Sequence, residues 1–436
     1  MRYASWIAKE AVACGYAVWL VSSAGCFEHP LYLSLQEECG GSIRPLALPE
    51  EEGTLGAHGH LGTARFQLHY YRMFARCHRL LSREEPPDYV FVPYLDYCAH
   101  AVALLGSPFG RIPWGGIMMK SHFHLEEMGV RVPSSRLRWI GGRLFVRLLR
   151  ARSLRALFTF DETLVHYVRQ RHPDLAGPLR YIPEPTDLRG SHSRESARGF
   201  LGIPSDATVI LVYGALDGSK GIDALLDSTR VDNFPERVTF LVAGLQKPGV
   251  KALLASPQAR ALRKASRLYE YDHFLYGEDE QAVFRASDVA WMGYRGQYIA
   301  SGVQLQAALA GLPVVACEEG LIGWLTRRYG LGLTVDIDDA RMVAEAISRL
   351  VRDRELSAEY AENGKRFSLP HKVDRFSQTI GRELLLNFSP QKPRKSRSRL
   401  RSAFAALRRL QRVPGKVRGT SNPDDRVKPT GKAPPP

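Results

Sequence analysis

Six short β-prone runs, separated by helix-length spacers, recur between residues 208 and 335 and leave few folds open to this chain. They are Thr208–Tyr213, Arg237–Ala243, Leu268–Tyr276, Asp288–Met292, Leu312–Ala316 and Gly332–Val335. Runs such as Val314-Val315-Ala316-Cys317 are apolar without alternation, the pattern of a strand buried on both faces. Helical segments lie between them, Ile222–Leu226 and Gln281–Ala286 among them. Strands alternating with helices through short loops predict a parallel sheet with helices on its faces.

The first half follows the same grammar less cleanly. A helix is expected over residues 2–14, then a strand Tyr16–Val21. A second helix spans 62–83, with Phe66, Tyr70, Met73, Phe74, Cys77, Leu80 and Leu81 at helical spacing on its inner side. Strands follow at Asp88–Pro93 and Leu157–Asp161. Ile112–Met119 is broken by Pro113 and two glycines, and its second half feeds the loop at 121–127. A helix runs from Asp161-Glu162 to Arg169, and Arg180–Pro183 ends the half. A helix feeding a strand is an odd opening for an α/β domain, so a first strand and glycine loop are expected to be missing from this polypeptide. The fold class is therefore α/β, with two facing Rossmann-like domains at 1–188 and 207–365. A polar linker joins them at 189–206, a last helix lies at 366–388, and a tail covers 389–436. From Gln391 onward the tail has fourteen Lys/Arg and two Asp, a composition expected to be largely disordered. Open parallel sheets bind ligands beyond their strand carboxyl ends, which here face a shared cleft.

Charge narrows the partners. The 436 residues carry a formal net charge of +15, which favours anionic ligands or surfaces. Six scattered cysteines (Cys14, Cys26, Cys39, Cys77, Cys98 and Cys317) form no CxxC pair, which fits free thiols in a reducing compartment. No run approaches the length of a membrane span and no signal-peptide pattern opens the chain, so a cytoplasmic location is expected.

Tyr294–Glu319 concentrates the chemistry. Ser301-Gly302 begins a small-residue helix, Gly311-Leu312-Pro313 stops it, and a buried strand follows. A helix N-terminus delivered at a sheet's carboxyl end is an anion site, here the amides of Ser301, Gly302 and Val303.

Four stretches together resemble the retaining GT-B glycosyltransferases of family 4, the group 1 enzymes. They are Val212-Tyr-Gly-Ala-Leu-Asp-Gly-Ser-Lys-Gly221, Phe284-Arg-Ala-Ser-Asp-Val-Ala290, Ser301–Val315 and a Gly320-Leu-Ile-Gly323 loop. The resemblance covers about residues 205–365 in register and extends weakly over the first domain. It implies that the last helix, 366–388, crosses back to the first domain, and that a donor site lies in the loop that starts at Gly214, where Lys220 meets the diphosphate of a UDP- or GDP-sugar. The family's arginine earlier in that loop is Ala215 here. Its paired glutamates, eight positions apart, fall on Tyr298 and Gln306, so sugar recognition is altered and ribose recognition passes to an uncharged amide. Tyr276, in the loop after the third strand, is the expected stacking face for the base, or else the last core residue of its strand. On the acceptor side His122 and His124 are the candidate proton carriers. Neither an obligatory cofactor nor a metal is expected.

Between Glu127 and Asp161 lie eight arginines and no acid: Arg131, Arg136, Arg138, Arg143, Arg147, Arg150, Arg152 and Arg155. Arg143, Arg147 and Arg150 share one helical face, with Leu144, Phe145 and Leu148 on the adjoining one, a pattern suited to an anionic membrane surface. Arg399–Val413 has the same character. A nucleic acid is the less favoured partner, because the arginines interleave with aliphatics and no recognised binding module is present. The expected function is glycosyl transfer to a sugar or lipid-linked acceptor in polysaccharide, lipopolysaccharide or glycolipid synthesis. The alternatives are a non-catalytic scaffold of the same fold and a sugar-nucleotide epimerase.

Overall fold

In the computed structural model the described residues are 2–48, 59–135 and 138–387. Arg136, the Arg399–Val413 segment and the basic tail lie outside them.

The first domain contains strands β1 (Val18–Ser23), β2 (Ile43–Leu48), β3 (Val90–Val92), β4 (Trp114–Ile117), β5 (Leu154–Thr159) and β6 (Leu179–Tyr181). All pair in parallel, but in two pieces: β1 with β2, and β3-β4-β5-β6 in order. The helix Arg2–Ala13 serves both pieces. Its Ile7 packs with Ile117 and Phe158, while Ala8 packs with Tyr32 and Ile43. Strand β4 contains two glycines because its neighbours sit too close for side chains. A methyl group on Gly115 would fall 2.7 Å from the Ala156 carbonyl oxygen, and one on Gly116 2.5 Å from that of Val92.

The second domain is a six-stranded parallel sheet of β7 (Thr208–Tyr213), β8 (Val238–Ala243), β9 (Leu268–Tyr271), β10 (Val289–Met292), β11 (Val314–Cys317) and β12 (Gly332–Val335). Its order, β12-β11-β10-β7-β8-β9, reverses direction at β7, so the crevice lies at the carboxyl end of that strand. Strands β8, β10 and β11 are buried along their whole length, as their unbroken apolar runs predict.

Three expectations need correction. Strand β9 ends at Tyr271, not Tyr276, because Asp272 leaves the ladder to accept the Gln246 amide at 2.8 Å. The segment 320–323 is not a loop but the start of the helix Gly320–Tyr329. The linker is shorter than 189–206, since Arg194–Phe200 is a helix capped by Ser193. Arg198, buried at 3% exposure, fastens that helix to the second domain through the Ala286 carbonyl and the Asp288 carboxylate. The last helix, Val373–Asn387, does return to the first domain, where Phe376, Ile380 and Leu384 pack with Ile7 and Phe158.

Candidate functional site

The site forms where β7 ends. Gly214 adopts φ 111°, a backbone region that favours glycine, and turns the chain into a loop held by Asp217. The Asp217 carboxylate accepts from the Ser219 amide at 3.0 Å and its hydroxyl at 2.5 Å, making a 3₁₀ turn, Gly218–Lys220. Gly221 follows at φ 59°, pressed against β10, where a methyl group would meet the Gly293 carbonyl oxygen at 2.1 Å. The turn thus drives Lys220 inward.

Lys220 is only 8% exposed, and its Nζ lies 3.7 Å from the centre of the Tyr294 ring. Among the described residues it forms no ion pair. Asp217 acts on it without touching it, because that carboxylate is taken up by Ser219 and Lys247. Burial pushes the ammonium down to about 8, with Asp217 opposing the change. A cation buried without a counter-ion is costly to the free protein and suited to an incoming anion.

The helix Gly302–Ala310 converges on the same point. A methyl group built on Gly214 would lie 3.6 Å from Val303 Cγ2 and 4.0 Å from Lys220 Nζ. Ser301 is the N-cap residue, but its hydroxyl makes no capping bond. The Gly302 and Val303 amides therefore have no acceptor among the described residues. Glu184, at the end of the first domain, reaches the same helix start: a methyl group on Gly302 would lie 3.3 Å from its Oε1. Tyr3 donates to that oxygen at 2.5 Å, and burial pushes the Glu184 carboxyl up while the Tyr3 bond opposes the change.

Gln306, expected to face a ribose, is 6% exposed and donates through Nε2 to Glu280 Oε1 at 2.7 Å. The Tyr213 hydroxyl donates to the same oxygen at 2.8 Å. Tyr276 is not a core residue: it is 58% exposed and stacks against Phe274 in a loop beyond β9. Tyr298 packs with Leu125, Val130, Leu321 and Trp324, a cluster in which the first domain's 125–132 segment meets the second domain. The Gly320 amide, at the start of a helix, donates to the Arg131 carbonyl at 2.8 Å across the same contact.

The two histidines separate. His122 is exposed, its Nδ1 3.3 Å from the Lys120 carbonyl oxygen. His124 is fully buried, its Nε2 2.8 Å from Asp161 Oδ2 and 3.0 Å from Thr163 Oγ1. Asp161 also caps the helix Glu162–Arg171, so His124 ties the loop to that helix and presents no surface to a substrate. Asp96, which the sequence reading missed, fixes the loop from the other side by accepting the Met119 and Lys120 amides at 2.9 and 2.7 Å. Burial pushes its carboxyl up, while those two bonds oppose the change.

Two facing Rossmann-like domains with a ligand crevice at the reversal point of the second sheet make this a GT-B fold. Residues 193–367, which make up the crevice-bearing domain, match the family described as glycosyl transferases group 1. Among curated proteins, the D-inositol 3-phosphate glycosyltransferase of Saccharomonospora viridis is 29% identical over 194 residues, 42% of this chain and 44% of that protein. The chain thus matches less than half the length of that relative. Among solved structures, sucrose-phosphate synthase from Thermosynechococcus elongatus has a TM-score of 0.63 at 17% identity, covering 89% of this chain and 94% of that one. Anabaena HepE in complex with UDP-glucose has a TM-score of 0.57 at 18% identity, covering 88% and 96%. At these identities the solved structures speak for the fold.

Proposed function

We propose that the protein is a glycosyltransferase that takes a sugar from a UDP- or GDP-sugar and passes it to a sugar or lipid-linked acceptor. The observation that carries this reading is Lys220, a buried ammonium with no ion pair among the described residues, aimed with the Gly302 and Val303 amides at the space beside Gly214. A diphosphate fills that space with complementary charge. As the bond between the sugar's anomeric carbon and the phosphate oxygen breaks, negative charge grows on the departing diphosphate, where fixed donors stabilise it most. The acceptor oxygen forms the new bond, and its proton leaves with the diphosphate oxygen. Reaction on one face of the sugar, with retention, needs no protein nucleophile. The charge is met by Lys220 and the amides, so the reading invokes no metal ion. His122, exposed on the first domain's loop, is the residue assigned to positioning the acceptor hydroxyl.

The membrane reading changes in detail. Among the described residues no helix is long and apolar enough to cross a membrane. In the helix Arg138–Leu149, Phe145 and Leu148 are buried in the first domain's core and Leu144 packs partly against it. These side chains, expected on a lipid-facing side, are spent on the fold. The exposed apolar groups are instead Trp139 and Ile140, with Leu104 and Leu105 on the neighbouring helix, and Arg147 bonds the Leu104 carbonyl. Arg143, Arg147 and Arg150 are exposed around them. A basic patch with an exposed Trp suits docking on anionic lipid and supports a peripheral location on the cytoplasmic face.

Tyr298, packed into the interdomain cluster where the family carries a sugar-facing glutamate, favours the second reading, a scaffold that no longer turns over donor sugars. Incubation with UDP-glucose and GDP-mannose separates the two. The transferase reading expects slow release of UDP or GDP, lost in Lys220→Ala. No release from any donor, with the fold intact, would support the scaffold, and recovery of an epimerised sugar would point to the epimerase.

A further inference from the structure

Glu280 is a buried acidic group beside the donor site that the reading above leaves without a task. It lies in the first turn of the helix Glu278–Ala286 and is only 5% exposed. A carboxylate offers about four acceptor positions. Oε1 receives two donors, the Tyr213 hydroxyl at 2.8 Å and Gln306 Nε2 at 2.7 Å. Among the described residues Oε2 has only Arg2 of the first domain, at 3.4 Å, the long edge of an ion pair. One oxygen is thus locked in place, while the other keeps acceptor capacity on the side facing the first domain.

Its position along the crevice identifies what it could accept. Tyr213 directly precedes Gly214, the glycine that faces Lys220. Gln306 follows the Gly302 amide by one helical turn, about 6 Å at 1.5 Å per residue. On the other side, the Glu280 helix begins two residues after the exposed Tyr276. The carboxylate therefore stands between a phosphate-binding end and an aromatic end. In a nucleoside diphosphate the group between phosphate and base is the ribose, whose cis-diol offers two hydroxyl donors.

We propose that Glu280 is the ribose-recognition residue of this donor site, its free oxygen accepting the diol while Tyr213 and Gln306 hold the carboxylate in register. This rests on the nucleotide-sugar reading. Gln306 then has an indirect task, as the clamp on the residue that touches the sugar. In the free protein Arg2 occupies the position that the diol takes over. A site built around a hydroxyl donor discriminates strongly against an analogue lacking that hydroxyl, because the buried acceptor is left unpaired. The donor class is accordingly ribonucleotide, with selection residing on Glu280.

Calorimetric titration of the whole protein with UDP, 2′-deoxy-UDP, GDP and 2′-deoxy-GDP tests this. For whichever base binds, wild-type protein is expected to favour the ribonucleotide at least tenfold. In Glu280→Gln that preference falls to within about threefold, and in the double variant Glu280→Gln with Gln306→Glu, which returns a carboxylate to the same spot, it recovers. Tyr213→Phe removes a clamp but leaves the acceptor, so the preference persists. Were Glu280 merely a brace, Glu280→Gln would weaken both nucleotides in equal proportion and leave their ratio unchanged, and that result overturns the assignment alone. Failure of folded wild-type protein to bind either ribonucleotide overturns the donor-site reading and the assignment with it.

Discussion

Lys220→Met is expected to strengthen the free protein and cripple its nucleotide binding at once. Burial holds the Lys220 ammonium at about 8 instead of the ordinary 10.5. That difference corresponds to about 3 kcal/mol of penalty for keeping the charge inside the folded state. The cation over the Tyr294 ring returns on the order of 1 kcal/mol, leaving a net cost of about 2 kcal/mol. The sign follows from proton binding in the two states. Below pH 8 folded and unfolded chains both carry the proton, and the full penalty applies. Between pH 8 and 10.5 the folded chain has shed its proton while the unfolded chain keeps it, so native stability rises with pH. Above 10.5 the penalty is gone. Urea unfolding of wild type and Lys220→Met at pH 7 and again near pH 10 reads this directly. The variant should be more stable by about 2 kcal/mol at pH 7, with the gap closing at the higher pH. A variant equally stable or less stable than wild type at pH 7 refutes the claim that the site holds an uncompensated charge.

Other tests address separate parts of the account. His122→Ala should lower turnover while leaving thermal stability unchanged, whereas His124→Ala should cost about 1–3 kcal/mol of stability by leaving Asp161 Oδ2 without its donor in the interior. The reverse assignment would show as a stability loss in the His122 variant. Replacing Arg143, Arg147 and Arg150 with Gln should reduce sedimentation with anionic vesicles at low salt, and unchanged binding would leave the patch as an ordinary solvated face. Addition of EDTA should leave nucleoside-diphosphate affinity within twofold; a large loss would mean that a metal ion carries the charge assigned to Lys220.

The second domain was legible because its strands are buried on both faces, and burial on both faces writes an apolar run into the sequence. The edge of the first domain was not. Strand β2 carries Pro45 in its middle, which argues against a strand and is tolerated there because β2 pairs on one side only, with β1. The glycine turn, Lys220 and the helix start at Ser301 were readable because each is a local backbone event. Glu280 was hidden by its neighbours: Glu278, Asp279 and Glu280 together look like ordinary compensation of a helix dipole, and only the fold shows that the third turns inward to Tyr213 and Gln306. His122 and His124 could not be ranked from sequence, since the same loop sends one to solvent and the other to Asp161. The arginine-rich helix misled for a related reason. Its apolar side was visible, but whether that side meets lipid or the protein's own core is decided by the packing of Phe145 and Leu148.

The most direct measurement is calorimetric titration of the purified protein with UDP and GDP, beside Lys220→Ala. The account predicts binding of at least one of them, weakened tenfold or more in the variant, as loss of a charge-assisted contact worth about 1.5–3 kcal/mol requires. A cooperatively folded protein that binds neither, or a Lys220→Ala variant with undiminished affinity, would contradict it.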